Sequence, residues 1–497
     1  MNKKFYWLAG FTALIMTAAC SDDNVTNDNP NQDPATEETE NVVALQVLNG
    51  ASQTGRIYMA IPTKAVEGIK KNRLNYVATI TAPEDRTSKI WSATSILVDD
   101  AGGNTIYVTW HSDAQASTAA TTWGGALDVI NFENPEHPET DSPTAGGNEN
   151  IDIKSTYVDD NVMKFEHVMK VNDVTFDTPV GQTTTWGLFL SATHAQKGAV
   201  MARIPGFNLT KAEIIGMPGT SVNAVTEYNG ELIAVTGYTG TYAIFNPSAK
   251  AAFYDYEHPE NSTWVTLCQD LDNGFGGKYT TTDEGGKAYV LRTDDGKAQI
   301  IDVKSGNVVV DNMAPLISEW KKGETYDPET GDWTINKIES QLQGKHVMVI
   351  KDGYAYVGAG QNGLRVYSLS EGKEVIQNSF KNHGPYTTGL CIDNDLLYAA
   401  TGSGLRVYQR QNDGQLALYA FEVEKYEGAL PDSMNPPTTM ENGTAVEGHH
   451  SANFVSVLTT PDNEKYIFVA YGQDGVRVFK LIPEPVVKGD EENEITE

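Results

Sequence analysis

His383, His449 and His450 are the side chains best suited to holding a metal, since imidazoles serve zinc, copper and iron. No HExxH or CxxC frame surrounds them, and adjacent histidines in a strand point to opposite faces. Bonding to loop carbonyls is the competing role, and the sequence leaves metal and cofactor unknown. Trp91, Trp110, Trp123 and Trp186 offer flat apolar faces that could stack on a sugar ring or planar cofactor, or simply pack inside the fold. Arg365, Arg406 and Arg477 recur at one place in a repeated phrase. Three guanidinium groups could grip an anion. An Arg flanked by two apolar strand residues, however, faces away from both, which suits an ion pair at a sheet surface better. Catalytic signatures are sparse. No G-x-S-x-G elbow occurs, Asp294-Asp295-Gly296 is ordinary turn chemistry, and Asp270-Leu271-Asp272-Asn273 lacks the full spacing of a calcium loop.

These residues need a frame, and the frame is written as repeats. GYAYVGAGQNGLRVYSL at 353–369 returns as DLLYAATGSGLRVYQ at 395–409 and KYIFVAYGQDGVRVFKL at 465–481. Each is an apolar run, a Gly-rich turn and a second apolar run, preceded by another short run: strand, turn, strand, Gly turn, strand. The same template fits 221–247 and 279–303. It fits 94–131 with an expanded turn, and 188–204 most loosely. Seven such units predict an all-β, seven-bladed β-propeller of four-stranded antiparallel blades. Ile106 to Ile467 spans six repeats of about 60 residues, against ~40–45 for a lean blade, so 112–125, 135–160, 315–340 and 427–447 are expected as loops. The last unit lacks a fourth strand before Pro483. An N-terminal strand at Leu74–Ile80 is expected to fill that edge and close the ring.

The phrase GLRVY after a Gly turn resembles LVIVD-type repeats of the YVTN/WD40-like propeller superfamily, over roughly residues 90–481. The resemblance implies a fold and no particular activity. In such folds the turn between second and third strands and the loop into the innermost strand share the usual ligand face. The turns supply Trp110, His111, His194, Gln196, Tyr238, Asp294, Asp295, Gln361, Asn362, Ser403, Gln473 and Asp474. The leading loops supply Trp91, Phe275, Tyr279, His346, His383, Tyr386, His449 and His450. Aromatic rings with a few polar groups around a concavity make a small-molecule site.

Residues 1–19, with Lys3 and Lys4 ahead of a short apolar run from Phe5 to Met16, read as a secretory signal. Thr17-Ala18-Ala19-Cys20 resembles a bacterial lipobox, with Thr17 where Leu is usual, a departure found among Bacteroidota lipoproteins. Ser21-Asp22-Asp23 resembles their acidic surface-export signal. The resemblance implies a lipid-anchored Cys20, palmitate among its acyl chains, on the outer face of the outer membrane. Residues 20–41 carry seven acids and no Lys or Arg after Cys20, which reads as a disordered tether. The propeller is expected over 42–482 and an acidic tail over 483–497.

The formal charge is −30, or −32 without Lys3 and Lys4, and no basic stripe offsets it, which argues against nucleic-acid binding. Cys268 and Cys391 fall on different blades and are expected to be free, although export permits a disulfide. The expected function is capture of a small-molecule or glycan nutrient beside an outer-membrane transporter. Surface propeller lipoproteins that capture cobalamin are an architectural precedent. A metal-dependent hydrolase or lactonase and a protein-interaction scaffold are the alternatives.

Overall fold

A computed structural model describes residues 41–48, 54–59, 73–83, 91–99, 104–112, 124–132, 151–160, 162–237, 241–267, 276–294, 297–316, 346–360, 362–378, 386–402, 404–422, 440–441, 444–445, 452–472 and 474–482. Seven small antiparallel sheets of four or five strands follow one another along the chain as the blades of a propeller. Their innermost strands are Trp91–Asp99, Met163–Thr178, Val222–Tyr228, Gly276–Thr282, Met348–Lys351, Thr387–Asp393 and Phe454–Thr459. Blades one to seven are numbered in that order. Each contains one of the seven repeat units, including the loosely matched 188–204, whose residues form the second and third strands of blade two.

The local chemistry explains the hairpins. Asn229-Gly230 and Asp352-Gly353 join first to second strands with φ of 53° and 80°, and 51° and 78°. Both turn residues then sit where a twisted hairpin requires positive φ, which Asn, Asp and Gly tolerate. Inside the strands, alternate apolar residues bury on the two faces, and each face packs against a neighbouring blade. One such cluster joins Tyr398 and Val407 of blade six to Val455 and Ile467 of blade seven. Gly389 belongs to this seam for lack of a side chain. A Cβ there would lie 2.7 Å from both Asn453 O and Phe454 Cα.

Residues 135–160 are not wholly loop. Ile151–Asp160 is the fourth strand of blade one, paired along Gly124–Phe132. Its Ile151 and Ile153 are buried, and Lys154 faces out, so the strand hides in a polar-looking stretch. Leu74–Ile80 runs antiparallel to Val476–Leu481 as the fourth strand of blade seven, with Leu74 opposite Leu481 and Ile80 opposite Val476.

Three shorter N-terminal strands extend this pattern. Val42–Ala44 lies on the edge of blade two, Gln46–Leu48 on blade one, and Ile57–Met59 on blade seven. The chain thus visits three successive outer edges before entering its first repeat. Between the last two, Arg56 reaches across the seam of blades seven and one. Its guanidinium donates to Thr81 O at 2.9 and 3.0 Å, to Asp128 Oδ1 at 3.0 Å and to Thr156 Oγ1 at 3.0 Å. Asp128 also accepts from Trp110 Nε1 at 2.8 Å and Thr156 Oγ1 at 2.5 Å. Both charged side chains are 0% exposed.

Removing one partner of a buried pair leaves the other charge stranded at about 3–5 kcal/mol. Arg56→Ala is therefore expected to lower the urea-unfolding free energy by about that much, and adding Asp128→Ala should cost little more. Equilibrium denaturation of the two variants checks this.

Candidate ligand-binding mouth of the channel

Five of the seven inner strands share one irregularity. Pairing of first to second strand slips by one residue between Ala93 and Ser95, Phe165 and His167, Val222 and Ala224, Gly277 and Tyr279, and Thr387 and Gly389. Each slip is a β-bulge, and the extra residues are Thr94, Glu166, Asn223, Lys278 and Thr388. By alignment, Val347 and Asn453 hold the same place in blades five and seven. A bulge turns its extra residue out of the ladder, and here three of them bond the next blade at an equivalent point. Thr94 Oγ1 donates to Phe165 O at 3.0 Å, Asn223 Nδ2 to Gly277 O at 2.7 Å, and Thr388 Oγ1 to Ala452 O at 3.1 Å. Each acceptor immediately precedes the next blade's bulge residue. Val347 makes the link from its backbone, its N–H meeting Thr388 O at 2.9 Å.

Glu166 and Lys278 break this series. Both are ionisable and buried. A carboxylate cannot donate, and Glu166 instead accepts from His111 Nδ1 of blade one at 2.9 Å. Lys278 lies close enough to His346 of blade five for its charge to act on that imidazole. Burial first, and Lys278 second, push His346 down from 6.5 to about 3. His346 is thus neutral, and its Nδ1–H donates to Gly358 O at 2.8 Å.

One residue beyond each of these two bulges, the channel narrows. The His167 and Tyr279 rings meet edge-on with centroids 5.7 Å apart, and His167 meets Phe454 at 5.8 Å. Tyr279 Oη approaches His167 Nε2 at 3.4 Å. Blades two, four and seven are not neighbours, so their inner strands touch only across the central axis. Spaced two, three and two blades apart, the three rings form an aromatic waist. Tyr279 is held there well above the usual phenol range by burial, with Cys391 of blade six adding to the effect. Cys391 is free, and burial, then Asp393, push its thiol up to about 12.

The residues expected on the ligand face divide accordingly. His111 is buried against Glu166, Tyr279 meets His167, and His346 is fully buried on Gly358 O. Trp91 opens the inner strand of blade one, buried and paired with Ser112. Tyr386 leads into blade six, its carbonyl accepting from Gly402 N–H at 2.8 Å. Trp110 is fully buried, its Nε1–H donating to Asp128 Oδ2. His194 closes its own turn, with Nδ1 accepting from Gln196 and Lys197 N–H at 3.1 and 3.2 Å. Burial, then Lys197, lower it to about 4. Asn362 donates to Pro315 O at 2.6 Å. Tyr238, Gln361, His383, His449, His450 and Gln473 lie outside the described residues, as do Trp123, Phe275, Asp295, Ser403, Cys268 and Cys20. Among the described residues no three His, Cys, Asp or Glu side chains gather to hold a metal. Glu166, Lys278 and His167 were not singled out in the sequence. For Glu166 and Lys278 the signal is a charge where the sister repeats carry Thr, Asn or Val; His167 shares its place with Tyr279 and Phe454 and with Ser, Ala, Met and Gly.

Two of the recurring arginines make ion pairs, Arg365 with Glu374 and Arg477 with Glu422, each at 2.8 Å, and Arg406 lies beside Tyr408. Trp186 lies under the Lys170 ammonium at 5.1 Å and against Gly206.

No family model matches the chain, and no curated protein does. Among solved structures, the chain is similar to virginiamycin B lyase from Staphylococcus aureus, at 11% identity over 82% of this chain and 99% of that one, with a TM-score of 0.42. It is similar to a chain of a mitotic checkpoint complex at 11% identity, over 81% and 98%, with a TM-score of 0.42. The computationally designed Ika8 protein gives 11%, 79% and 96%, with a TM-score of 0.36. No activity transfers to this chain at such identities.

Two measurements test the burial. His194 and His346 hold folded-state values of about 4 and about 3, below the ordinary 6.5, so the fold favours their neutral forms. The stability they contribute is complete above pH 6.5 and is lost as pH falls toward those values. The urea midpoint should fall with acidification over that window, and the slope should flatten in His346→Gln and His194→Gln. In a variant carrying Cys268→Ser, the thiol of Cys391 should resist a disulfide reagent at pH 8 in the native protein and react at once after unfolding.

Proposed function

We propose that this chain is a ligand-capturing propeller lipoprotein. Anchored through Cys20 on the outer face of a Gram-negative outer membrane, it holds a small molecule or glycan at the channel mouth beside a transporter. The observation that carries the binding role is the departure of Glu166 and Lys278 from the bulge series. Thr94, Asn223 and Thr388 show that the seam needs only a hydroxyl or an amide. Burying an ionisable group where a neutral one suffices costs several kcal/mol before pairing offsets it. A residue that stability alone would replace marks a functional position. His111 and His346, both buried, lie beside these two, and the Tyr279 and His167 rings follow them in sequence, a mix of polar and aromatic groups such as small-ligand sites use.

The waist shapes the mode of binding. The ring of His167 meets those of Tyr279 and Phe454 across the axis, an arrangement that suits a ligand held and handed on from one face. The anchor and address rest on the resemblance of residues 1–23 to a lipoprotein leader. The transporter rests on that address.

A thermal-shift panel on the chain from Asn41 onward tests the binding role. It holds cobalamin, haem, ferric chelates, oligosaccharides and divalent metals, each with and without chelator. A ligand at 100 times its Kd adds about 2.7 kcal/mol. One organic class should shift the wild type, and Glu166→Gln and Lys278→Met should each abolish the shift while Arg365→Ala keeps it. A shift from metal alone would move the assignment to an enzyme, and no shift from any class would move it to a protein partner.

A further inference from the structure

Blade two carries an arm. Its first two strands are 16 and 14 residues long, Met163–Thr178 and Gly181–His194. The second strand pairs with the third only from Gly187, opposite Pro205, onward. Residues 181–185 pair with 174–178 alone. Five register pairs thus project beyond the sheet, roughly 17 Å at ~3.4 Å per residue. The inner strand of the arm is supported. Phe176 is buried under the Arg203 guanidinium at 4.7 Å, and Thr175 N–H donates to Ser248 Oγ at 2.9 Å. The other edge meets no strand among the described residues. Gln182, Thr183 and Thr184 are exposed, and Val180 at the tip is 96% exposed.

We propose that this edge pairs with the same edge of a second copy, antiparallel about a twofold axis at Thr184. A bare edge of β-branched residues without Lys or Pro is a template for another strand. Gln182-Thr183-Thr184-Thr185 is close to self-complementary. In the paired copies Thr184 meets Thr184, and each Thr183 meets a Thr185. A twofold interface requires that reciprocity, and Thr–Thr cross-strand pairs are favourable. Charge selects the same partner. The chain carries a formal −30, so two copies repel except where neither presents charge. The acids of the arm, Asp173 and Asp177, lie on the inner strand, and residues 181–187 carry none. Two strand edges bury much less than a standard interface, so the dimer is weak and reversible.

Sedimentation velocity of the chain from Asn41 onward, which holds every described strand, tests the pairing. Average mass should rise from monomer toward dimer between about 5 µM and about 200 µM. It should rise further at about 0.5 M salt than at about 0.05 M, because salt screens the bodies and leaves the strand pairing intact. Thr184→Lys puts like charges face to face on the twofold axis, and Thr184→Pro removes a backbone donor. Each should weaken the dimer at least about tenfold. A monomer at every concentration and salt overturns the proposal, and so does a dimer that both variants leave unchanged.

Discussion

A propeller blade has two apolar faces and cannot keep either from water by itself, so every blade depends on a neighbour on both sides. That constraint is easily met between consecutive blades, where short connections keep partners together. It is hardest to meet where blade seven returns to blade one, because the residues involved lie at opposite ends of the chain. The structure concentrates long-range interactions there. Leu74–Ile80 completes the sheet of Val476–Leu481, Ala93 N–H donates to Gly472 O at 2.9 Å, and Arg56 ties Thr81 to Asp128. The Arg56–Asp128 pair is geometrically demanding: five donors and a carboxylate fit only one relative placement of the two blades. An apolar contact would bury similar area and tolerate sliding.

The bulges solve a related problem at the inner ends of the blades. Seven strands crowd toward one axis and splay outward, so straight ladders would leave backbone groups between blades without partners. Shifting one residue out of register turns a side chain or an N–H toward the neighbour. Thr94, Asn223 and Thr388 each use it to reach a carbonyl one blade on, and Val347 N–H reaches one from the aligned position without a shift. Once the bulge exists, its extra residue stands outside the ladder, buried near the axis in Thr94, Glu166, Lys278 and Thr388. Chemistry can be placed there by substitution without rebuilding the blade, as Glu166 and Lys278 illustrate.

The blade count was legible because it rests on two local signals, period-two apolar runs and Gly turns, repeated seven times. Leu74–Ile80 was legible because blade seven visibly lacked a strand. Val42–Ala44, Gln46–Leu48 and Ile57–Met59 were not, since three residues carry no periodicity and their partners lie far along the chain. The fourth strand of blade one was missed for a similar reason, Lys154 and Asp152 giving it the polarity of a loop. Trp110 was placed at the rim because its position in the repeat is correct. Its indole donates to Asp128, an acid that nothing local marks as buried. The bulges were not legible. A one-residue slip in pairing is a property of two strands together, and no single strand's sequence declares it.

The charge distribution separates these two kinds of order. The acidic excess of −30 is spread over the whole sequence, where it governs solubility and long-range approach. The buried charges obey different rules. Arg56 meets Asp128, Arg477 meets Glu422, and Arg203 meets Glu213 beside Pro247 O. Each pair joins parts of the structure that must be held in fixed relation. Lys278 differs in acting on a neutral group of the next blade: its charge adds to burial in opposing protonation of His346. Glu166 and Lys278 thus place charge at inner-strand bulges where Thr94, Asn223 and Thr388 carry neutral side chains.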